Sequence, residues 1–190
     1  MRWLSIIFLS AFLAACSSGG TTDPPADSSL ITEDDSETGG FTTTVEAGDR
    51  YSDKVIYFSF VDGEEHFPAE PSDSDDWDLS FRFAWIKLNG GSNGTGGVEV
   101  LAINFAEYLD LEIAPAGEYL TDAPSALAFD AGQGWYRYLM GTDDWFMNDR
   151  IYVVKARDGR YYKLRIVNFL DEFGVPGQLQ FRWAEIAPPA

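Results

Sequence analysis

Apolar and polar residues alternate along most of the chain after residue 50, a pattern typical of β-strands. Residues 54–61 are rich in β-branched and aromatic side chains. Residues 77–88 also alternate, but the phase changes near Ala84, which predicts a bulge or a bend in a strand. A short stretch within residues 105–111 is the best helix candidate. Further strands are predicted at residues 98–105, 135–139, 150–155, 161–169 and 178–186. The pattern therefore predicts an all-β, mostly antiparallel domain.

Turn signals separate these strands. Asp158-Gly159 lies between two predicted strands and predicts a hairpin, and residues 174–177, GVPG, predict the last turn. The glycine-rich sequence IKLNGGSNGTGG at residues 86–97 does not end in Gly-Lys-Ser/Thr and leads into a strand, VEVL. A phosphate-binding loop requires that ending and a helix after it, so a nucleotide site is not predicted. The glycines instead predict a wide turn between two strands. They are Gly90, Gly91, Gly94, Gly96 and Gly97.

The first residues have the features of a bacterial export signal. Arg2 precedes an apolar segment at residues 3–13 that is too short to span a bilayer. The sequence Leu-Ala-Ala-Cys that ends at Cys16 resembles a lipobox, which predicts removal of residues 1–15 and lipidation of Cys16. The absence of Asp directly after the cysteine favours the outer membrane. The alternative is ordinary signal cleavage that leaves a free thiol.

Composition divides the rest of the chain into two parts. Residues 16–40 are dominated by Ser, Thr, Gly, Asp and Pro and predict a flexible acidic tether. Residues 41–190 are long enough for one domain with a substantial core and are predicted to form the all-β domain. Cys16 is the only cysteine, so neither an intrachain disulfide nor a thiolate metal cluster is possible.

Charge and aromatic content narrow the choice of partners. The formal net charge of −18 argues against nucleic acid and anionic membrane surfaces as partners. The acidic run at residues 73–78 departs from the spacing of a calcium loop and predicts a solvated turn. Several tryptophans are candidates for the core or for the lining of a sugar-binding pocket. They are Trp85, Trp135, Trp145 and Trp183.

The sequence gives little evidence of a catalytic site. There is no Gly-x-Ser-x-Gly nucleophile motif, and His66 stands in no triad context. Paired carboxylates for a hydrolase remain open among 31 acidic residues, most of which are expected at the surface. The sequence thus favours a binding protein without catalytic residues.

Several short motifs, in order and spacing, resemble the HmuY family of haem-binding, membrane-anchored bacterial lipoproteins. They are YFSF at residues 57–60, the stretch from Trp77-Asp78 through the glycine turn, NDRIYVVK at residues 148–155, Asp158-Gly159 and YYKL at residues 161–164. The resemblance covers most of residues 50–186. It implies an all-β fold that holds haem between loops, scavenges it and passes it to an outer-membrane receptor.

The resemblance also implies axial ligands to the iron, which in the family are a pair of His or a pair of Met. Residues 135–141, WYRYLMG, match the family pattern Trp-x-x-x-x-His/Met-Gly and place Met140 at one ligand position. A thioether is a workable axial ligand. The other family ligand precedes it, but residues 106–133 contain no His or Met, so the candidates for a second axial ligand are His66 and Met147.

Each of these residues also has a structural interpretation. Met140 could pack at a strand end, His66 could be a solvated loop residue and Met147 could belong to the core. A tyrosinate ligand is a further possibility. The tyrosines considered for it are Tyr108, Tyr119 and Tyr138. Because the known axial pair is not reproduced, the alternative function is a surface lipoprotein of the same fold that binds proteins or glycans and no haem.

Overall fold

The computed structural model describes residues 28–104 and 107–190, and within them twelve strands and one short 3-10 helix. The 3-10 helix is Ala128–Asp130. The strands are β1 (Leu30–Asp35), β2 (Gly40–Glu46), β3 (Ile56–Phe58), β4 (Glu65–His66), β5 (Leu79–Arg82), β6 (Trp85–Leu88), β7 (Glu99–Asn104), β8 (Tyr136–Leu139), β9 (Asp144–Met147), β10 (Arg150–Lys155), β11 (Tyr161–Leu170) and β12 (Pro176–Ile186). Within the described ranges no helix is long and apolar enough to cross a membrane.

The strands form three antiparallel sheets. The largest has the order β1-β2-β12-β11-β10-β7, the second has the order β4-β3-β5-β6, and β8 pairs only with β9. The predicted all-β antiparallel class is confirmed. The period-2 pattern explains it, since alternate side chains of each strand point to one buried face.

The core lies between the six-stranded and four-stranded sheets. Phe58 of β3 meets the rings of Phe181 and Trp183 of β12 at centroid distances of 5.4 and 5.6 Å. Phe81 of β5 stacks on Phe181 at 5.5 Å. Edge-to-face and offset aromatic pairs of this kind add to the free energy gained by burying the rings. The aromatic residues of the sequence thus supply the core of a domain without disulfides.

The prediction that the flexible tether extends to residue 40 is wrong for residues 30–35, which form β1. β1 pairs with β2 from Leu30↔Val45 to Asp35↔Gly40, and Leu30 is only 3% exposed. An edge strand needs few apolar residues, because its backbone pairs with one neighbour and its other side chains face water. Composition therefore hid this strand. The predicted signal peptide, Cys16 and the start of the tether lie outside the described residues.

The phase change near Ala84 marks a hairpin turn, and the predicted bulge is wrong. β5 ends at Arg82 and β6 begins at Trp85, so Phe83 and Ala84 form the turn, with Phe83 at a positive φ of 50°. The Phe83 amide donates to the carbonyl of Ala47 at 2.8 Å. Buried anchoring of this kind lets a bulky residue occupy a conformation it rarely adopts.

The helix predicted within residues 105–111 is also wrong over residues 107–111, which contain a turn and no helix. Residues 105 and 106 lie outside the described part. The remaining predicted strands are confirmed with small shifts at their ends, as is the hairpin at Asp158-Gly159, where Gly159 has a φ of 82°. The last turn falls earlier than predicted, because Pro176 already belongs to β12.

Candidate functional site

The hairpin of β8 and β9 has two distinct faces. Its register pairs Tyr136 with Met147 and Tyr138 with Trp145, so these four side chains share one face. The ring of Trp145 lies 5.0 Å from that of Phe169 in β11. Met147 is half-buried and packs against the main core. This inner face fastens the hairpin to the domain.

The outer face of the hairpin carries apolar side chains that remain exposed. Arg137 pairs with Phe146, and its guanidinium lies 5.1 Å from the centre of the Phe146 ring. Phe146 and Leu139 are both exposed. Met140 follows Leu139 in the turn and is 85% exposed. Three exposed apolar side chains on one short hairpin make it a candidate binding surface.

Two polar residues fix the base of this hairpin. The Asn148 amide donates to the carbonyl of Trp135 at 2.8 Å, and its side chain donates to the carbonyl of Gln133 at 2.9 Å. The buried guanidinium of Arg150 donates to the carbonyls of Ala131 and Gly134 at 2.8 and 3.1 Å. The Asn-Asp-Arg part of the NDRIYVVK motif therefore holds the chain that enters and leaves the hairpin.

The two other candidate iron ligands differ from Met140, which lies exposed in the turn after β8. Met147 is on the inner face of the hairpin. His66 is in β4 of the four-stranded sheet, and its Nε2 is 2.9 Å from a carboxylate oxygen of Asp62. The structure therefore does not bring Met140, Met147 and His66 together on one face.

The tyrosines considered as phenolate ligands are held in the protonated form. Burial raises the pKa of Tyr108 well above its usual range and raises that of Tyr119 to about 12. A hydrogen bond to Asp143 raises the pKa of Tyr138. Because a phenolate must lose its proton to ligate iron, these shifts oppose ligation near neutral pH.

A second region is a cavity of about 920 Å³. Its floor is the outer face of the four-stranded sheet, where Tyr57, Ser80 and Lys87 are paired neighbours in β3, β5 and β6. Its wall is formed by residues 120–131. Trp85 lines it and is 44% exposed, whereas Trp135 and Trp183 are core residues.

The wall of the cavity is fixed by a buried carboxylate that sequence reasoning missed. Asp122 accepts hydrogen bonds from the amides of Leu88 and Ala128, at 2.8 and 2.7 Å, and from the side-chain amide of Asn93 at 2.8 Å. Three donors at one carboxylate satisfy it without a cation. Asp122 thereby joins the end of β6, the glycine turn and the wall. No local sequence signal marks it, because two of its three partners, Leu88 and Asn93, are distant in the chain.

The glycine turn is wrapped around a buried asparagine. The Asn89 side chain donates to the carbonyls of Ser74 and Trp77 at 2.8 Å and accepts from the Gly96 amide at 3.1 Å. A Cβ at Gly94 would lie 2.0 Å from Asn89 Oδ1, so close approach excludes a side chain there. The predicted wide turn between two strands is confirmed. Positive φ is required only at Gly91 and Gly97 within it.

The acidic run at residues 73–78 ends in a carboxylate that is fully buried, so it is not solvated throughout. Asp78 accepts from the amides of Phe60 and Arg157, each at 2.9 Å. Burial raises the pKa of Asp78, and these hydrogen bonds offset part of that shift. Within residues 28–104 and 107–190, no group of three or more His, Cys, Asp or Glu side chains is arranged to hold a metal ion.

Comparison with known proteins finds a family match for the segment that contains the β8–β9 hairpin. Residues 123–183 match the family model of the HmuY protein. The resemblance to the HmuY family is thereby confirmed. The matched segment includes β8 to β11 and most of the cavity wall. No curated protein matches the chain significantly.

Solved structures extend the likeness to the whole fold. The apo form of the HmuY analogue of Tannerella forsythia has a TM-score of 0.58 at 17% identity, over 84% of this chain and 98% of the other. A proposed HmuY-like haem-binding protein of Bacteroides vulgatus has the same TM-score and identity, over 83% and 97% of the two chains. A proposed lipoprotein of Bacteroides fragilis has a TM-score of 0.57 at 18% identity, over 83% and 96%. These structures show that the chain has an HmuY-like fold.

Proposed function

We propose that this HmuY-like protein binds haem on the outer face of the β8–β9 hairpin, as a carrier without catalysis. The observation that carries the proposal is the position of Met140, which is 85% exposed at the end of an apolar face. Its sulfur is a suitable soft donor for haem iron. A neighbour in fold that is described as an HmuY-like haem-binding protein supports the same function.

The residues of this face match the chemistry of haem. The exposed Phe146 ring and Leu139 offer a flat apolar surface for the macrocycle. Arg137, held 5.1 Å from the Phe146 ring centre, supplies a cation for a propionate carboxylate. In a chain of net charge −18, a cation beside an exposed apolar surface is a specific complement to an anionic apolar ligand.

We assign Met140 alone to the iron. Met147 faces the core, and His66 is paired with Asp62 in another sheet. Ligation by either residue would require the hairpin or β4 to leave its packing. Met140 would then hold the iron without help from Met147 or His66, and a single protein ligand would suit a carrier that must release its cargo.

We also propose that Cys16 is lipidated and anchors the protein in the outer membrane, from which haem passes to a receptor. The lipobox-like sequence before Cys16 and the relative described as a lipoprotein support this. Metabolic labelling with palmitate tests it. The wild type should incorporate label into the membrane fraction and a Cys16→Ser variant should not. Equal labelling of both would refute the anchor.

Haem binding is tested by titrating haemin into the protein that begins at Ser17 and following the Soret band. A chain that starts at residue 41 is unsuitable, because it lacks β1. We expect a saturable shift that changes in position and affinity in Met140→Ala. The matched controls are Met147→Leu and His66→Gln, which should leave the spectrum as in the wild type.

Two results would contradict the proposal. A saturable Soret shift that is indifferent to Met140→Ala would keep haem as the ligand and remove Met140 from the iron. The absence of any saturable shift would remove haem binding and favour the alternative, an interaction module of the same fold.

A further inference from the structure

The cavity beside the four-stranded sheet is separate from the haem face proposed above. None of Arg137, Leu139, Met140 and Phe146 lines it. Its volume of about 920 Å³ falls in the range of small-molecule sites, about 300–1,000 Å³. A ligand in this cavity would be recognised by residues of β3, β5, β6 and the wall, and haem binding on the hairpin does not require it.

The charged residues that line the cavity are Arg82, Lys87 and Asp130. Lys87 is exposed in the floor, and within residues 28–104 and 107–190 no carboxylate lies within 4 Å of its ammonium group. Arg82 also lines the cavity, but it already contacts the carbonyl of Ser52 at 2.8 Å and the exposed carboxylate of Asp53 at 3.0 Å. Asp130 is the acidic residue among those that line the cavity. The ammonium group of Lys87 is therefore the charge in the lining to which an anionic ligand would bind.

Six neutral side chains in the lining can form hydrogen bonds, and they alternate with apolar side chains. These six are Tyr57, Ser80, Ser92, Asn93, Thr121 and Ser125. Hydroxyl and amide groups can each donate or accept, and they suit a ligand that carries several hydroxyl groups. A lining of mixed polarity therefore fits a ligand with both hydroxyl groups and an apolar face.

An aromatic platform completes the site. Trp85 is 44% exposed, and the guanidinium of Arg82 lies 5.3 Å from its ring centre, which holds the indole in place. An indole ring with its face partly open can pack against the C–H face of a sugar ring. The floor thus combines an apolar platform with the ammonium group of Lys87.

The wall is fixed by Asp122 and the turn by Asn89, both buried and fully engaged in hydrogen bonds. A preformed site loses less conformational entropy when a ligand binds. These anchors give the cavity a shape that does not depend on a ligand.

We propose that this cavity binds a carboxylated saccharide. The carboxylate pairs with Lys87, the sugar ring packs on Trp85, and the hydroxyl groups bond to the neutral polar side chains of the floor and wall. No covalent step is involved. The protein would then bind a glycan in this cavity in addition to the proposed haem on the hairpin.

The test is a calorimetric titration of the protein that begins at Ser17 with D-glucuronate and with N-acetylneuraminate. D-glucose and N-acetylglucosamine serve as neutral sugars, and acetate serves as a carboxylate without a ring. We expect saturable binding of an acidic sugar that weakens at least tenfold in Lys87→Met and in Trp85→Ala, a change of about 1.4 kcal/mol. Lys155→Met, which removes another exposed lysine, and Met140→Ala should bind as the wild type does.

Several results would overturn the proposal. They are the absence of acidic-sugar binding at about 10 mM ligand, equal affinity for the neutral sugars, or equal affinity for acetate. Haemin titrations of the same variants separate the two sites. A normal Soret shift without sugar binding would refute the saccharide and leave the haem proposal standing. Loss of the Soret shift in Lys87→Met but not in Met140→Ala would refute both assignments.

Discussion

The hairpin face and the cavity are built in opposite ways. The hairpin face comes from one continuous segment, β8 to β9, and presents exposed side chains on an element whose other face is packed. The cavity is assembled from residues between 55 and 131, and buried carboxylate and amide groups hold its wall. A change on the hairpin face should therefore alter a ligand contact, whereas a change in the cavity scaffold should alter the stability of the fold.

The largest effect is expected from Asp122→Ala. This change leaves the amides of Leu88 and Ala128 and the side chain of Asn93 without their acceptor. We expect the free energy of unfolding to fall by about 3–5 kcal/mol, measured by urea denaturation. Asp34→Ala, at an exposed position of β1, is the control and should change it by less than about 0.5 kcal/mol. If Asp122→Ala lowers the free energy of unfolding no more than Asp34→Ala does, the wall is held by other contacts.

A smaller loss is expected from Trp145→Ala, which removes the half-buried ring that joins the hairpin to Phe83 and Phe169. We expect the free energy of unfolding, measured by urea denaturation, to fall by about 2–3 kcal/mol, which is less than the usual loss for a fully buried tryptophan. Because the outer face depends on this anchor, haemin affinity should fall while acidic-sugar binding persists. Equal loss of both activities would break the distinction between the two regions.

The buried Asp78 predicts a pH dependence. Burial raises the pKa of its carboxyl, so the folded state holds the proton more tightly than the unfolded state does. Its favourable contribution is present below the unfolded pKa and is lost as pH rises through the folded pKa. Measured from about pH 3 to about pH 7, the stability of the wild type relative to Asp78→Asn should therefore decline with rising pH. Parallel stability curves for the two proteins would contradict this.

The smallest effect on stability is expected from Met140→Ala. Since the side chain is 85% exposed, the free energy of unfolding should change by less than about 0.5 kcal/mol. Met147→Ala, on the packed face of the same hairpin, should cost about 1–2 kcal/mol. Thermal denaturation of the two variants side by side checks the contrast. Similar losses would mean that the two faces of the hairpin are not distinct.

The sequence predicted the parts of the molecule whose signal is local. The alternation of strands such as β10 and β11 and the Asp158-Gly159 hairpin follow from neighbouring residues. β1 was missed because an edge strand can be mostly polar. The phase change near Ala84 predicts a bulge and not the turn at Phe83, because the conformation of Phe83 depends on the distant carbonyl of Ala47.

The candidate sites divide in the same way. The family pattern around Met140 is continuous in sequence, so the alternation and this pattern were enough to predict the all-β class and the resemblance to HmuY and to suggest an iron-ligand candidate. The sequence did not show that Met140 is exposed while Met147 packs on the core, or that Asp122 fixes the wall of a cavity lined by Lys87 and Trp85. Burial and hydrogen-bond partners depend largely on residues distant in the chain, so no local pattern records them.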